Sequence, residues 1–222
     1  MVSELTPSTQ DYLKVIWNLS EWSNDPITTS IIAERIGLRP SSVSDALRKL
    51  AERNLIHHEP YGAVSLTDSG RRHALAMVRR HRLIETFLVE TLGYRWDEVH
   101  DEAETLEHAV SDLMVERIAG LLGHPDRDPH GDPIPAADGT IVFPDAVRLS
   151  SVESGRVRVE RISDADPALL QFFEAEGVGI GTELHIAGGE PFTDTIRVGI
   201  DGRQDPLPLG SAAAGAVWVS RR

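Results

Sequence analysis

Residues 29–50 read TSIIAERIGLRPSSVSDALRKL, and the reading of this stretch decides the fold. Thr28 or Thr29 supplies a hydroxyl N-cap for a short helix over 28–36. Gly37 ends that helix, because a glycine accepts the left-handed backbone at a helix C-terminus. Pro40 then starts a longer helix over 40–54, in which Val43, Leu47 and Leu50 share one face. Two helices hinged on a glycine turn predict a helix-turn-helix core. On the N-terminal side, Tyr12, Val15, Ile16 and Leu19 fall at i, i+3, i+4 and i+7, which predicts a helix over 8–22. On the C-terminal side, 55–59 and 63–67 read as two strands joined at 60–62. Three helices followed by a two-strand wing is the winged-helix order.

Further along, Thr67-Asp-Ser-Gly opens a long helix over about 68–92, and another helix is predicted over 97–122, ending at Gly123. Residues 124–146 are rich in Pro, Gly and Asp and read as a linker. The period then changes to short alternating strands at 157–162, 183–187, 195–200 and 216–220. A helix at 167–176 interrupts them, with Asp166 as cap and Pro167 at its first position. The predicted class is α+β in three domains: a winged helix-turn-helix over 1–76, a helical domain over 77–143, and an SH3-like (FeoA-like) β-barrel over 144–222.

The bulk numbers narrow the function. No cysteine is present, which removes disulfides, zinc–thiolate sites, iron–sulfur clusters and cysteine nucleophiles. No apolar run reaches the ~20 residues of a membrane helix, and the first residues lack the apolar segment of a signal peptide, so a cytoplasmic, membrane-free location is expected. The net charge of -13 is unevenly spread: residues 1–80 carry +1, 81–143 carry -10 and 144–222 carry -4. Fields act per face, so the acidic total does not exclude nucleic acid for the N-terminal third.

Two groups of residues carry chemistry. At the start of the third helix, Arg39, Pro40, Ser41, Ser42, Ser44, Asp45 and Arg48 form a candidate DNA-binding surface. Serines approach phosphates and base edges closely, a helix N-terminus favours phosphate, and Arg39, Arg48, Lys49 and Arg53 add countercharge. A hydroxyl-rich start can also be an N-cap alone, and Asp45 would repel phosphate. The second group is His100, Glu104, Glu107 and His108, at i, i+4, i+7 and i+8 on one helical stripe, with His81 and Glu85 at i, i+4 on the helix before it. A solvated acidic face is the competing reading. Imidazole and carboxylate without thiolate suit Mn²⁺ or Fe²⁺, with Mn²⁺ favoured by ligand hardness and Zn²⁺ or Co²⁺ also accepted.

These residues resemble the diphtheria toxin repressor family, in its manganese-responsive branch. The matching stretches are 11–17 (DYLKVIW), the helix-turn-helix through 40–44 (PSSVS), 80–85 (RHRLIE), 100–108 (HDEAETLEH) and 128–135 (DPHGDPIP). The resemblance implies a homodimer with two metal sites per chain that represses transcription, here of manganese uptake genes. It implies a primary site of Asp11, Glu104, Glu107 and His108, and an ancillary site of His81, Glu85, His100 and Asp164. Iron-responsive relatives carry methionine and cysteine at the positions of Asp11 and Glu104, so the carboxylates here are the manganese-type choice. Lys14 stands where barrel-less manganese regulators have a second carboxylate, which disfavours their paired-metal arrangement. The expected partner is a pseudo-palindromic DNA duplex. The alternatives are an iron-responsive regulator of the same family, a winged-helix regulator of an organic ligand, a two-metal hydrolase, and a sensor of haem held by histidine.

Overall fold

The computed structural model describes residues 5–58, 62–187 and 194–221. The chain divides into two compact units, Met1–His81 with Pro135–Thr140, and Arg82–Ile134 with Ile141–Arg222.

The first unit is a winged helix. Helices α1 (Pro7–Glu21), α2 (Thr29–Ile36) and α3 (Pro40–Glu52) precede strands β1 (Ile56–His58) and β2 (Val64–Leu66). The predicted caps form: Thr28 Oγ1 accepts from Ile31 N at 3.3 Å, and Gly37 takes a φ of 73° as the C-cap of α2. Leu13, Ile16, Ile32, Val43 and Leu47 are fully buried, so the apolar faces of the three helices converge on one core. The wing strands pair antiparallel, with His57 opposite Ser65. The turn predicted at 60–62, together with Glu59, lies largely outside the described residues.

Helix α4 (Asp68–Leu92) runs on from the wing, and Thr67 Oγ1 caps it by accepting from Gly70 N at 3.0 Å. In the second unit the helix predicted over 97–122 is instead two: α5 (Val99–Leu106) and α6 (Asp112–Leu121). The break has a local cause. Ser111 lies in extended backbone and its hydroxyl accepts from Met114 N at 3.2 Å, which is a fresh N-cap inside the predicted helix. Glu107 and His108 therefore sit on the turn after α5 rather than on a continuous stripe.

The segment read as a linker is also different. Residues 127–134 are packed against the end of β4, with Ile162 N donating to His130 O at 2.9 Å, and Asp128, His130 and Asp132 are buried. Gly131 makes this approach possible. Its φ is 88°, and a Cβ there would meet Glu160 O at 2.1 Å.

The remaining residues form a six-stranded antiparallel sheet in the order β3-β8-β4-β5-β6-β7, namely β3 (Val147–Arg148), β4 (Gly155–Ile162), β5 (Glu183–Ala187), β6 (Thr195–Ile200), β7 (Leu207–Gly210) and β8 (Val217–Arg221). Helix α7 (Pro167–Ala175) has its cap where expected, with Asp166 Oδ1 accepting from Ala168 N at 2.9 Å; α8 (Ser211–Gly215) follows β7. Val159, Ile162, Phe173, Val198 and Val219 fill the core of this SH3-like domain. The sheet is open, since β3 and β7 are edges among the described residues. Short β3 and β7, of two and four residues, were not expected from the sequence.

Candidate functional site

The second unit holds charge in its interior. Arg82 and Glu85 on α4, Asp128, His130 and Asp132 on the packed segment, and Arg161 on β4 are each less than one-tenth exposed. They form one network. Arg82 Nη1 donates to Pro133 O at 2.6 Å and faces Asp128 at 3.7 Å and Asp132 at 3.5 Å. Arg161 Nε donates to Asp132 Oδ1 at 2.6 Å while its guanidinium lies over the Trp218 ring at 4.3 Å.

At one end of this network stand three of the four residues expected in the ancillary site. His100 Nδ1 is 3.2 Å from Asp164 Oδ2 and 3.5 Å from Glu85 Oε1, and one donor atom from each of Glu85, His100 and Asp164 lies within 4.8 Å of the others. His81, the fourth, is buried on α4 one turn before Glu85 and belongs to the first unit. Hydrogen bonds to Asp164 and Glu85 push the His100 imidazole up to about 10. Burial pushes the Asp164 carboxyl up, but the hydrogen bond from His100 and the charges of His130, His100 and Arg161 outweigh it and hold the carboxyl well below its usual range.

Two residues missed in the sequence join this group. Donor atoms of Glu85, Asp128 and His130 also lie within 4.8 Å of one another, and all three residues are buried. His130 Nε2 lies 2.7 Å from Trp96 O. A carbonyl only accepts, so Nε2 carries the proton. Nδ1 is buried with no hydrogen-bond partner among the described residues, 3.9 Å from Glu85 Oε2. An imidazole whose far nitrogen donates to a carbonyl is oriented as metal-bound histidines are. Burial lowers the His130 imidazole, but the nearby Asp128, Glu85 and Asp164 raise it overall; Asp128 itself is pushed up to about 8 by burial and by Asp132. The alternation Asp128-x-His130-x-Asp132 was the available signal, hidden by the Pro and Gly between them.

The charge count tests the fit to a cation. Two guanidiniums, on Arg82 and Arg161, oppose four carboxylates, on Glu85, Asp128, Asp132 and Asp164. Neutrality calls for two more positive charges, from protons shared among His100, His130 and Asp128 or from one divalent cation. The donor set, two imidazoles with carboxylates and no thiolate, suits the metals expected above.

The expected primary residues are distributed as follows. Asp11 is half-buried on α1 in the first unit, with Lys14 buried one turn on. Glu104 is half-buried on α5 and its Oε1 lies 3.7 Å from His100 Nε2. Glu107 is fully buried, and its Oε1 lies 3.6 Å from His108 Nε2. In the first unit, the candidate DNA-binding residues Arg39, Pro40, Ser41, Ser42, Ser44, Asp45 and Arg48 are all exposed at the start and along one face of α3.

A winged helix with an exposed reading helix, in a chain whose second unit gathers imidazoles and carboxylates, defines a metal-responsive DNA-binding regulator. Known families agree. Residues 4–64 match the iron dependent repressor N-terminal DNA binding domain, 67–136 the iron dependent repressor metal binding and dimerisation domain, and 147–221 the FeoA domain. The diphtheria toxin repressor of Corynebacterium efficiens is 31% identical over 196 residues, covering 83% of this chain and 85% of that protein. The iron-dependent repressor IdeR of Mycobacterium leprae is 34% identical over 161 residues, covering 69% of this chain and 70% of that protein. Among solved structures, a manganese-dependent transcriptional repressor in complex with manganese is 54% identical, with a TM-score of 0.92 over 96% of this chain and all of that one. The manganese regulator SloR is 34% identical, with a TM-score of 0.81 over 98% of this chain and all of that one. The chain belongs to the iron-dependent (diphtheria toxin) repressor family, whose members are metal-dependent DNA-binding transcriptional repressors and not enzymes.

Proposed function

We propose that this repressor responds to Mn²⁺ and controls manganese uptake genes in the cytoplasm, as a homodimer on a pseudo-palindromic operator. The observation that carries the metal assignment is the cluster of Glu85, His100 and Asp164, hard oxygen and imidazole donors within 4.8 Å of one another. The manganese-bound repressor at 54% identity supports the same metal. A ScaR structure with bound Zn²⁺ supports a site that also admits softer ions. An iron-responsive reading remains the second one, supported by the iron-dependent repressors among the relatives.

The proposed primary ligands are Asp11, Glu104, Glu107 and His108. The proposed ancillary ligands are His81, Glu85, His100 and Asp164, to which the buried geometry adds Asp128 and His130. The proposed functional domains are 1–76, 77–143 and 144–222. When bound, the metal supplies the positive charge that holds these carboxylates together. Without it, protons on the cluster's imidazoles supply that charge, and metal binding shifts the population toward the DNA-competent form by as much as the metal prefers that form.

The test is fluorescence anisotropy of a duplex from the gene's upstream region, titrated at fixed salt without metal and then with Mn²⁺, Fe²⁺ or Zn²⁺. Tight binding only with metal, strongest with Mn²⁺, is expected. Asp11→Ala should weaken the metal-dependent binding while leaving circular dichroism unchanged. Equal binding with and without metal would reject the proposal.

A further inference from the structure

The reading surface of α3 contains an arrangement that phosphate binding does not explain. Along its exposed face run Ser41, Asp45, Arg48 and Glu52, spaced three or four residues apart and opposite the buried Val43, Leu47 and Leu50. Arg48 Nη1 donates to Glu52 Oε1 at 2.8 Å, and Arg48 Nη2 lies 3.9 Å from Asp45 Oδ1. The one guanidinium on this face is thus answered by two carboxylates of its own helix. It is a poor phosphate clamp, and the stripe as a whole is negative. Asp45 is the most exposed of the three, with 75% of its side chain open to solvent.

A carboxylate facing a polyanion is unfavourable unless a base edge rewards it. An ionised carboxylate only accepts hydrogen bonds. In the major groove the amino donors are cytosine N4 and adenine N6. Adenine places its N7 acceptor beside that donor, where it repels a second carboxylate oxygen; cytosine has no such neighbour. Cytosine is therefore the base that an aspartate selects.

We propose that Asp45 reads a cytosine in each half of the operator, with Arg48 as its positioning residue and Glu52 tethering Arg48. The proposal rests on α3 being the helix that enters the groove, and deepens the function above by naming one operator base.

The experiment is selection from a randomised duplex library by the full-length protein with Mn²⁺, comparing the wild type with Asp45→Asn and Arg48→Ala. The wild type is expected to enrich cytosine at one position in each half-site. Asparagine pairs with adenine N6 and N7, so Asp45→Asn is expected to move the preference at that position toward adenine, by roughly tenfold in relative affinity, leaving other positions alone. Arg48→Ala is expected to weaken the cytosine preference without changing its identity, which loss of helix stability alone would not do. Identical base profiles for the wild type and Asp45→Asn would overturn the proposal while leaving metal-dependent repression intact. A wild type that enriches no sequence with metal would reject both.

Discussion

The two units place their charges in opposite ways. In the winged-helix unit Leu13, Ile16, Ile32, Val43 and Leu47 fill the core, with Lys14, Arg80 and His81 also buried, while the chemically expressive residues of the reading helix, Ser41, Ser44, Asp45 and Arg48, stand on the outside of α3. In the second unit Arg82, Glu85, Asp128, His130 and Asp132 are inside. An outside charge is screened and can be changed with little effect on folding. An inside charge persists only with a partner, and removing one partner leaves the other buried and unanswered. The first arrangement is built to meet a partner, and the second to hold a countercharge.

The sharpest way to break this contrast is Arg82→Met. It removes the cation facing Asp128 and Asp132 and the donor to Pro133 O. A loss of about 3–5 kcal/mol of stability is expected, read by urea denaturation of the metal-free protein. A change below about 1 kcal/mol would show that the interior network is not held by this charge.

Gly131→Ala tests the backbone on which the network depends. The new Cβ would collide with backbone at Glu160 O, in a φ that side chains rarely adopt. A cost of about 2 kcal/mol or more is expected from the left-handed backbone and the displaced contact together, by the same denaturation. Metal affinity should fall with it, because His130 directly precedes this residue and Asp128 stands three residues before it.

The contrast also accounts for what could be read in the sequence. The winged helix was legible because its signals are local: a cap at Thr28, a stop at Gly37, a proline start at Pro40 and one apolar face each. The break before α6 was missed because Val110 and Leu113, three residues apart on either side of Ser111, continue the helical spacing of apolar residues across it. The buried segment was missed for a different reason. Pro, Gly and Asp look the same in a solvated linker and in a strap pressed onto a strand, and only Ile162 and Arg161, some thirty residues away, distinguish the two. Asp164 was named through family resemblance and not through any periodicity; its meeting with His100 depends on how β4 ends.

The pH dependence sharpens the comparison at intermediate cost. His100 rises from about 6.5 when unfolded to about 10 in the metal-free fold, through Asp164 and Glu85. A raised pKa contributes stability that is complete below about 6.5 and is lost as pH climbs through about 10. Metal binding has the opposite sign. Between those values an ion at His100 Nδ1 must expel the proton, so affinity should strengthen with pH, up to about tenfold per unit. Calorimetry in buffers of differing ionisation enthalpy should detect the released proton. Metal affinity independent of pH from 6 to 9 would remove His100 from the ligand set.

The smallest effect belongs to the outside of α3. Glu52→Gln removes the hydrogen-bonded partner of Arg48, in a pair whose side chains are 60% and 61% exposed. Exposed pairs four residues apart on a helix contribute about 0.3–0.5 kcal/mol, so the midpoint of thermal unfolding should hardly move. Freed of that tether, Arg48 can swing toward phosphate, and the stripe loses one negative charge. Affinity for non-operator DNA should rise, and steepen its salt dependence, while folding stability stays the same. If Glu52→Gln instead cost as much stability as Arg82→Met, the outside of α3 would be structural in the same sense as the buried network, and the division between the two units would fail.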